Sequence, residues 1–131
     1  MNVIQAVLCE SASVEANGRI STTGSMRQIV CPGFPHVQPR MWLVWQFEVP
    51  DARYGDKLHL RIERIDPDGR VLDRVLETEL TATGGPDDLQ LFPGSVELLN
   101  LKFDEPGDYQ FSIFVDGGLA RSVDLRLREM R

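Results

Sequence analysis

The sequence predicts an all-β domain: about eight strands in a mainly antiparallel two-sheet sandwich, immunoglobulin-like or jelly-roll in style. Three observations carry this. Apolar and polar residues alternate with a period of two along most of the chain, the pattern of half-buried strands. No window combines helical periodicity with capping signals. Glycine and proline recur at the intervals that separate sandwich strands. A closed barrel is the alternative arrangement of the same strands. The 131 residues fit one domain, 1–131, large enough to bury roughly two thirds of its unfolded surface without a disulfide or structural metal.

Residues 2–9 form the first strand, with Val3 and Val7 on one side and Ile4, Ala6 and Leu8 on the other. Apolar character on both faces marks a central or doubly covered strand. Asn17-Gly18 signals a hairpin. A polar second strand then runs from about Arg19 to Cys31, with a bulge or close backbone approach expected at Gly24. The stretch "CPGFPHVQP", Cys31–Pro39, holds three prolines and reads as a stiff loop crossing between sheets. In "RMWLVWQFEV", Met41, Leu43, Trp45, Phe47 and Val49 point one way and Trp42, Val44, Gln46 and Glu48 the other.

Residues 56–80 read as a hairpin around "DPDG", a type I turn followed by a left-handed Gly69. With Asp66 facing Arg70, Leu60 faces Leu76 and Arg64 faces Leu72. Leu58, Leu60, Ile62, Leu72 and Leu76 then make the inner face. Residues 82–94 form an irregular loop, "SVELLNLKF" a strand, and "DEPGD" a turn. In the last hairpin, Tyr109, Phe111, Ile113 and Val115 pair with Leu119, Val123, Leu125 and Leu127. That match predicts a three-residue loop, Asp116-Gly117-Gly118, with Gly118 left-handed. An acidic glycine loop that leads into a strand is not the phosphate cradle that leads into a helix N-terminus.

Composition narrows the function. The net charge is −6, and the one basic cluster, Arg121, Arg126, Arg128 and Arg131, lies on a strand where Arg126 and Arg128 share a solvated face. Nucleic acid and anionic membrane are therefore not expected partners. No apolar run approaches the roughly 20 residues of a membrane span. "MNVIQAVLCESAS" lacks the basic start and long apolar core of a secretory signal, so a cytoplasmic protein is expected. Its two cysteines, Cys9 and Cys31, are then expected as buried free thiols.

Chemistry-bearing constellations are sparse. Cys31 and His36 are the one conceivable nucleophile–base pair, with no residue evident to orient the imidazole. His59 falls on a polar strand face. Four Cys and His residues without ligand spacing argue against zinc. Asp66 and Asp68 precede a glycine as in an EF-hand loop, but no downstream Glu or flanking helices follow. The pairs Asp51/Asp56, Asp87/Asp88 and Asp104/Glu105 sit beside Gly or Pro, where acids cap turns. No catalytic residue, metal or cofactor is expected.

The aromatics are the best lead. If Trp45 faces the core, Trp42 and Val44 face outward, and an exposed aromatic cluster marks a binding surface. The competing reading folds the 31–39 loop, with Phe34, over Trp42. Trp42, Val44 and Phe34 are therefore the candidate binding residues.

Two stretches together carry a resemblance. "AVLCESASV", continued by "NGRISTTGSM", "GFP" and "LVWQFEV", and the closing "LKFDEPGDYQFSIFVDGGLARSVDLRL" resemble a bacterial family of small β-sandwich domains of unknown function. Its members open with a similar A-L-L-C-x-x-A strand and close with a similar E-P-G-x-Y-x-F hairpin. The resemblance implies a small bacterial sandwich protein and no activity. The expectation is a non-enzymatic module that binds a protein partner or itself. A small-ligand domain, for instance for carbohydrate, using Trp42 or loops 31–39 and 82–94, is the alternative.

Overall fold

The computed structural model describes residues 1–15 and 18–131. Its elements are β1 (Asn2–Val14), β2 (Ile20–Met26), β3 (Gln28–Cys31), β4 (His36–Glu48), β5 (Lys57–Ile65), β6 (Val71–Thr81), β7 (Leu91–Phe103), β8 (Gly107–Val115) and β9 (Gly118–Glu129). One sheet has the order β2-β1-β4-β7 and the other β3-β9-β8-β5-β6. Among the strands of the described residues, only β3 and β9 run parallel. The fold is thus the expected all-β sandwich rather than a closed barrel. Its ninth strand arises because the polar stretch 19–31 divides at Arg27: β2 stays in the first sheet and β3 crosses to the second. Of the Asn17-Gly18 hairpin signal, Asn17 lies outside the described residues.

The inner faces share one core. Leu8, Met41, Leu43, Trp45, Phe47, Phe92 and Leu98 from the first sheet pack against Leu60, Ile62, Tyr109, Phe111, Ile113, Leu125 and Leu127 from the second. Fully burying each such side chain stabilises the fold by about 1.5–3 kcal/mol. Trp45 is paired across the ladder with Gly94, whose bare Cα leaves room for the indole. Tyr109 ties the β7–β8 corner: its hydroxyl donates to the Glu105 carbonyl at 2.8 Å.

Four local expectations are corrected. The 31–39 loop is shorter, because β4 begins at His36. Pro39 is tolerated there because this end of β4 pairs with β7 alone, and β1 joins only at Trp42. Opposite this stretch, Leu98 and Leu101 lie three apart yet both pack on the core. Asn100 between them adopts φ 52° and shifts the phase of the alternation. The 82–94 loop is likewise shorter. β7 starts at Leu91, Phe92 is buried, and Pro93 pairs with Gln46. Since β7 is an edge strand, a residue without an N–H can sit in it.

The β5–β6 turn forms as expected. Gly69 has φ 86°, its N–H donates to the Asp66 carbonyl, and the Asp66 N–H donates to that of Arg70. Two bulges then displace the register, so that Leu60 faces Thr78, Ile62 faces Leu76 and Arg64 faces Asp73. Leu72 is consequently exposed rather than internal. In the last hairpin Val115 pairs directly with Gly118. The loop has two residues, and Asp116 (φ 48°) and Gly117 (φ 85°) are the left-handed ones. This is the geometry of a type I′ turn, which Asp-Gly favours. The expected register of Tyr109 and Phe111 survives because the extra residue enters as a bulge beside Phe114. His59 and Asp116 lock the turn to β5 by reciprocal bonds of 2.9 Å.

Candidate functional site

The outer face of the first sheet, where Trp42 and Val44 were expected to meet solvent, is covered. Cys9 faces Trp42 in the last β1–β4 pair, and β1 and β2 continue beyond it as a two-stranded ribbon. That ribbon doubles back. The Gly18 carbonyl near its tip accepts a bond from the Gln46 side chain at 3.5 Å, and Gly18 also lies against Thr83 and Pro93. Gln46 pairs with Gln5, so the tip has returned toward the start of β1. Gly24, with φ 68°, stands against Glu10 where the ribbon bends. Half-buried Ala12, Val14 and Ile20 form its underside, and Ser11, Ser13, Ser21 and Thr23 are exposed.

This cover explains the burial beneath it. Val44 and Cys9 are inaccessible although neither belongs to the central core. Burial pushes the Cys9 thiol above its ordinary value. Trp42 is half-buried, with the Arg40 guanidinium 5.5 Å from its ring centroid and an Arg40–Glu97 ion pair of 2.7 Å alongside. Phe34 packs on the central core instead. The three candidate binding residues therefore do not converge, and the cover is the β1–β2 ribbon rather than the 31–39 loop.

The remaining candidates are engaged locally. Cys31 Sγ contacts the Gly33 and Arg128 carbonyls at 3.6 Å, whereas the His36 ring bonds the Gln38 side chain at 3.0 Å. Asp66 Oδ1 accepts from the Asp68 and Arg70 N–H groups. Asp56 and Asp88 accept from Arg53 and Gly85 backbone. His59 is exposed beside Glu77 at 3.3 Å. Among the described residues, no three His, Cys, Asp or Glu side chains group as metal ligands would.

Two features escape sequence reasoning. One is Arg64, which is buried. It forms a bidentate pair with Asp73 at 3.0 and 3.2 Å, donates to the Lys102 carbonyl and lies 5.3 Å from the Phe103 ring centroid. Its place in the Leu58-Leu60-Ile62 alternation was the available signal.

The other is an open flank between the sheets. On the side away from β4, β1 pairs with β2 only from Leu8 onward. On the side away from β8, β9 pairs with β3 only from Arg126 onward. Residues 2–7 and 118–125 thus present two unpaired edges. The Arg126 N–H donates to Arg27 across the paired part. Peptide groups two residues apart in a strand point the same way, so Ser122 and Asp124 direct theirs into the open part. A groove of about 200 Å³ lies there, lined by Ala6, Leu8, Met26, Arg27, Arg121 and Val123 among others. Arg121 bridges it to the Val3 carbonyl at 3.4 Å. Ile4 and Leu119 are exposed beside it, 51% and 61%.

A shallower depression of about 420 Å³ lies on the outer face of the second sheet, among Arg27, Gln28, Asp108, Gln110, Asp124 and Arg126. There the Asp108 carboxyl is held below its ordinary value by the Arg126 guanidinium, bonded at 2.8 and 3.3 Å. Neither groove includes Trp42, Phe34 or residues 82–94.

Comparison with known proteins adds a family but no activity. No curated protein matches the sequence. Among solved structures, the alkylpurine DNA glycosylase AlkC of Pseudomonas fluorescens, bound to DNA containing an abasic-site analogue, is similar at 17% identity and a TM-score of 0.48. That match covers 78% of this chain and 28% of the glycosylase chain, and at that similarity it carries no functional inference. The two stretches that bracket the domain, the strand beginning at Ala6 and the hairpin closed by Tyr109, fall within a family match over residues 4–128, and the chain belongs to that family of unknown function, DUF6941.

Proposed function

We propose that this protein is a non-enzymatic interaction module that engages a protein partner by strand addition at the flank between β1 and β9. The unpaired edge of β9 is the observation that carries this reading. Sheet edges are sites of association unless they are blunted. The other edges here are blunted. β7 contains Pro93 and the left-handed Asn100, β2 carries the Gly24 bend, β6 is bulged and rich in charge, β3 is only four residues long, and the free edge of β1 is bulged between Val3 and Gln5. Beyond the bulge at Ala120, residues 121–125 of β9 hold neither proline nor a positive φ, and an exposed Leu119 lies just before them.

The engagement of Cys31 and His36 with separate partners supports the non-enzymatic part. Two buried, unbridged cysteines support a reducing, cytoplasmic setting. The parallel β3–β9 pair and the Tyr109 corner support an immunoglobulin-like version of the sandwich. Ser122→Pro tests the reading, because it deletes an outward N–H without removing a β8–β9 ladder bond. In affinity capture from the source cell, partners held by wild type are expected to be lost with Ser122→Pro and kept with Gln110→Ala, which alters the outer face. Equal recovery by all three removes the flank from consideration.

A further inference from the structure

The flank also selects the kind of strand it takes, an inference that rests on the interaction reading above. In β9, Leu125 is buried and Val123 packs on the core, so alternation places Arg121 on the same inward side. Its guanidinium reaches across to the Val3 carbonyl, which leaves further donors free at the groove mouth. An added strand would set one inward side chain opposite Val123, above Ala6, Leu8 and Met26. Its next inward side chain, two positions away, would meet Arg121.

Charge points the same way. The chain carries −6 overall, yet the groove is lined by Arg27 and Arg121 against one acid, Asp124. A cationic mouth on an acidic protein favours a carboxylate from the partner over a cation. An aliphatic side chain fits the floor, where an unpaired polar group would be desolvated.

We propose that the flank binds an extended segment of another protein in which an aliphatic residue and a carboxylate lie two positions apart. The carboxylate lies opposite Arg121 and the aliphatic side chain lies opposite Val123.

Synthetic peptides of about ten residues test this. One carries Leu with Asp two positions before and after it, which satisfies either strand direction. A second carries Lys in place of both Asp residues. Titrated into isotope-labelled protein, the Asp peptide is expected to shift the amides of residues 6–8 and 121–124. The Lys peptide is expected to bind at least about tenfold more weakly. Arg121→Glu is expected to reverse that order, with an unchanged spectrum elsewhere showing that the variant is folded. Equal binding of both peptides, or shifts that map away from the flank, overturns the proposal. Binding of neither peptide also overturns it, whereas the interaction reading itself stands or falls on the Ser122→Pro capture.

Discussion

The indole of Trp45 lies against Gly94 across the β4–β7 ladder, so close that a Cβ on residue 94 would come within 2.3 Å of the ring. Trp45 lies on the central strand β4 and Gly94 on the edge strand β7 laddered to it, so neither backbone can withdraw without breaking ladder bonds. Gly94→Ala is therefore expected to cost about 3 kcal/mol through overpacking. Urea unfolding checks this: the midpoint should fall while the slope holds. A midpoint within error of wild type would mean that the indole has another place to go.

Arg64 and Asp73 form the one bidentate pair that anchors a buried guanidinium among the described residues. Asp73→Ala leaves that cation hydrogen-bonded to the Lys102 carbonyl alone, beside the Phe103 ring, and is expected to cost about 2 kcal/mol, less than for a fully buried pair because Asp73 is partly exposed. Arg64→Met should be milder, since it removes the charge with its partner's task. A double-mutant cycle is expected to show about 1 kcal/mol of coupling. Strict additivity would reduce the pair to a bystander.

The ribbon over Cys9 bends at Gly24. Gly24→Ala places a side chain at φ 68°, and its Cβ crowds the Glu10 carboxylate, which can swing aside. The expected cost is the backbone strain alone, about 1 kcal/mol. If the strain falls on the ribbon, opening becomes about fivefold more frequent. In a Cys31→Ser background, thiol labelling of Cys9 should accelerate by that factor. An unchanged rate at lower global stability would place the strain elsewhere.

Arg126 holds the Asp108 carboxyl below its ordinary value of 3.8. A folded value below the unfolded one stabilises the protein above the unfolded pKa, and that contribution is lost as pH falls through the folded value. The melting temperature of wild type should therefore drop more steeply than that of Asp108→Asn as pH falls below about 4. Both groups are exposed, so added salt should shrink the difference. Parallel curves would mean the pair contributes nothing.

What was legible in the sequence is what period two dictates. The inward sets Met41-Leu43-Trp45-Phe47 and Tyr109-Phe111-Ile113 read directly, because one slipped residue would expose all of them. The misses share a cause. Bulges at Ile62/Glu63, Arg64/Ile65 and Ile113/Phe114 shift pairing while leaving local alternation almost intact, so no composition rule announces them. The placement of Trp42 failed differently. Its cover is a ribbon more than fifteen residues upstream, and a bend at Gly24 reads as a bulge until the tip is seen on Gln46. The flank has no local signature, since an edge is open only by virtue of which strands lie elsewhere.

The parallel β3–β9 pair has a consequence for how the chain reaches this state. It joins Gln28 to Arg126, strands from opposite ends of the sequence. Contacts so remote must absorb a large loop-closure cost before they repay it, which slows folding. On the ribosome, β3 waits for nearly the whole domain to emerge before it finds its neighbour. Until β9 is made, the edge of β8 that it covers stands unpaired, the kind of transient edge at which strands mispair.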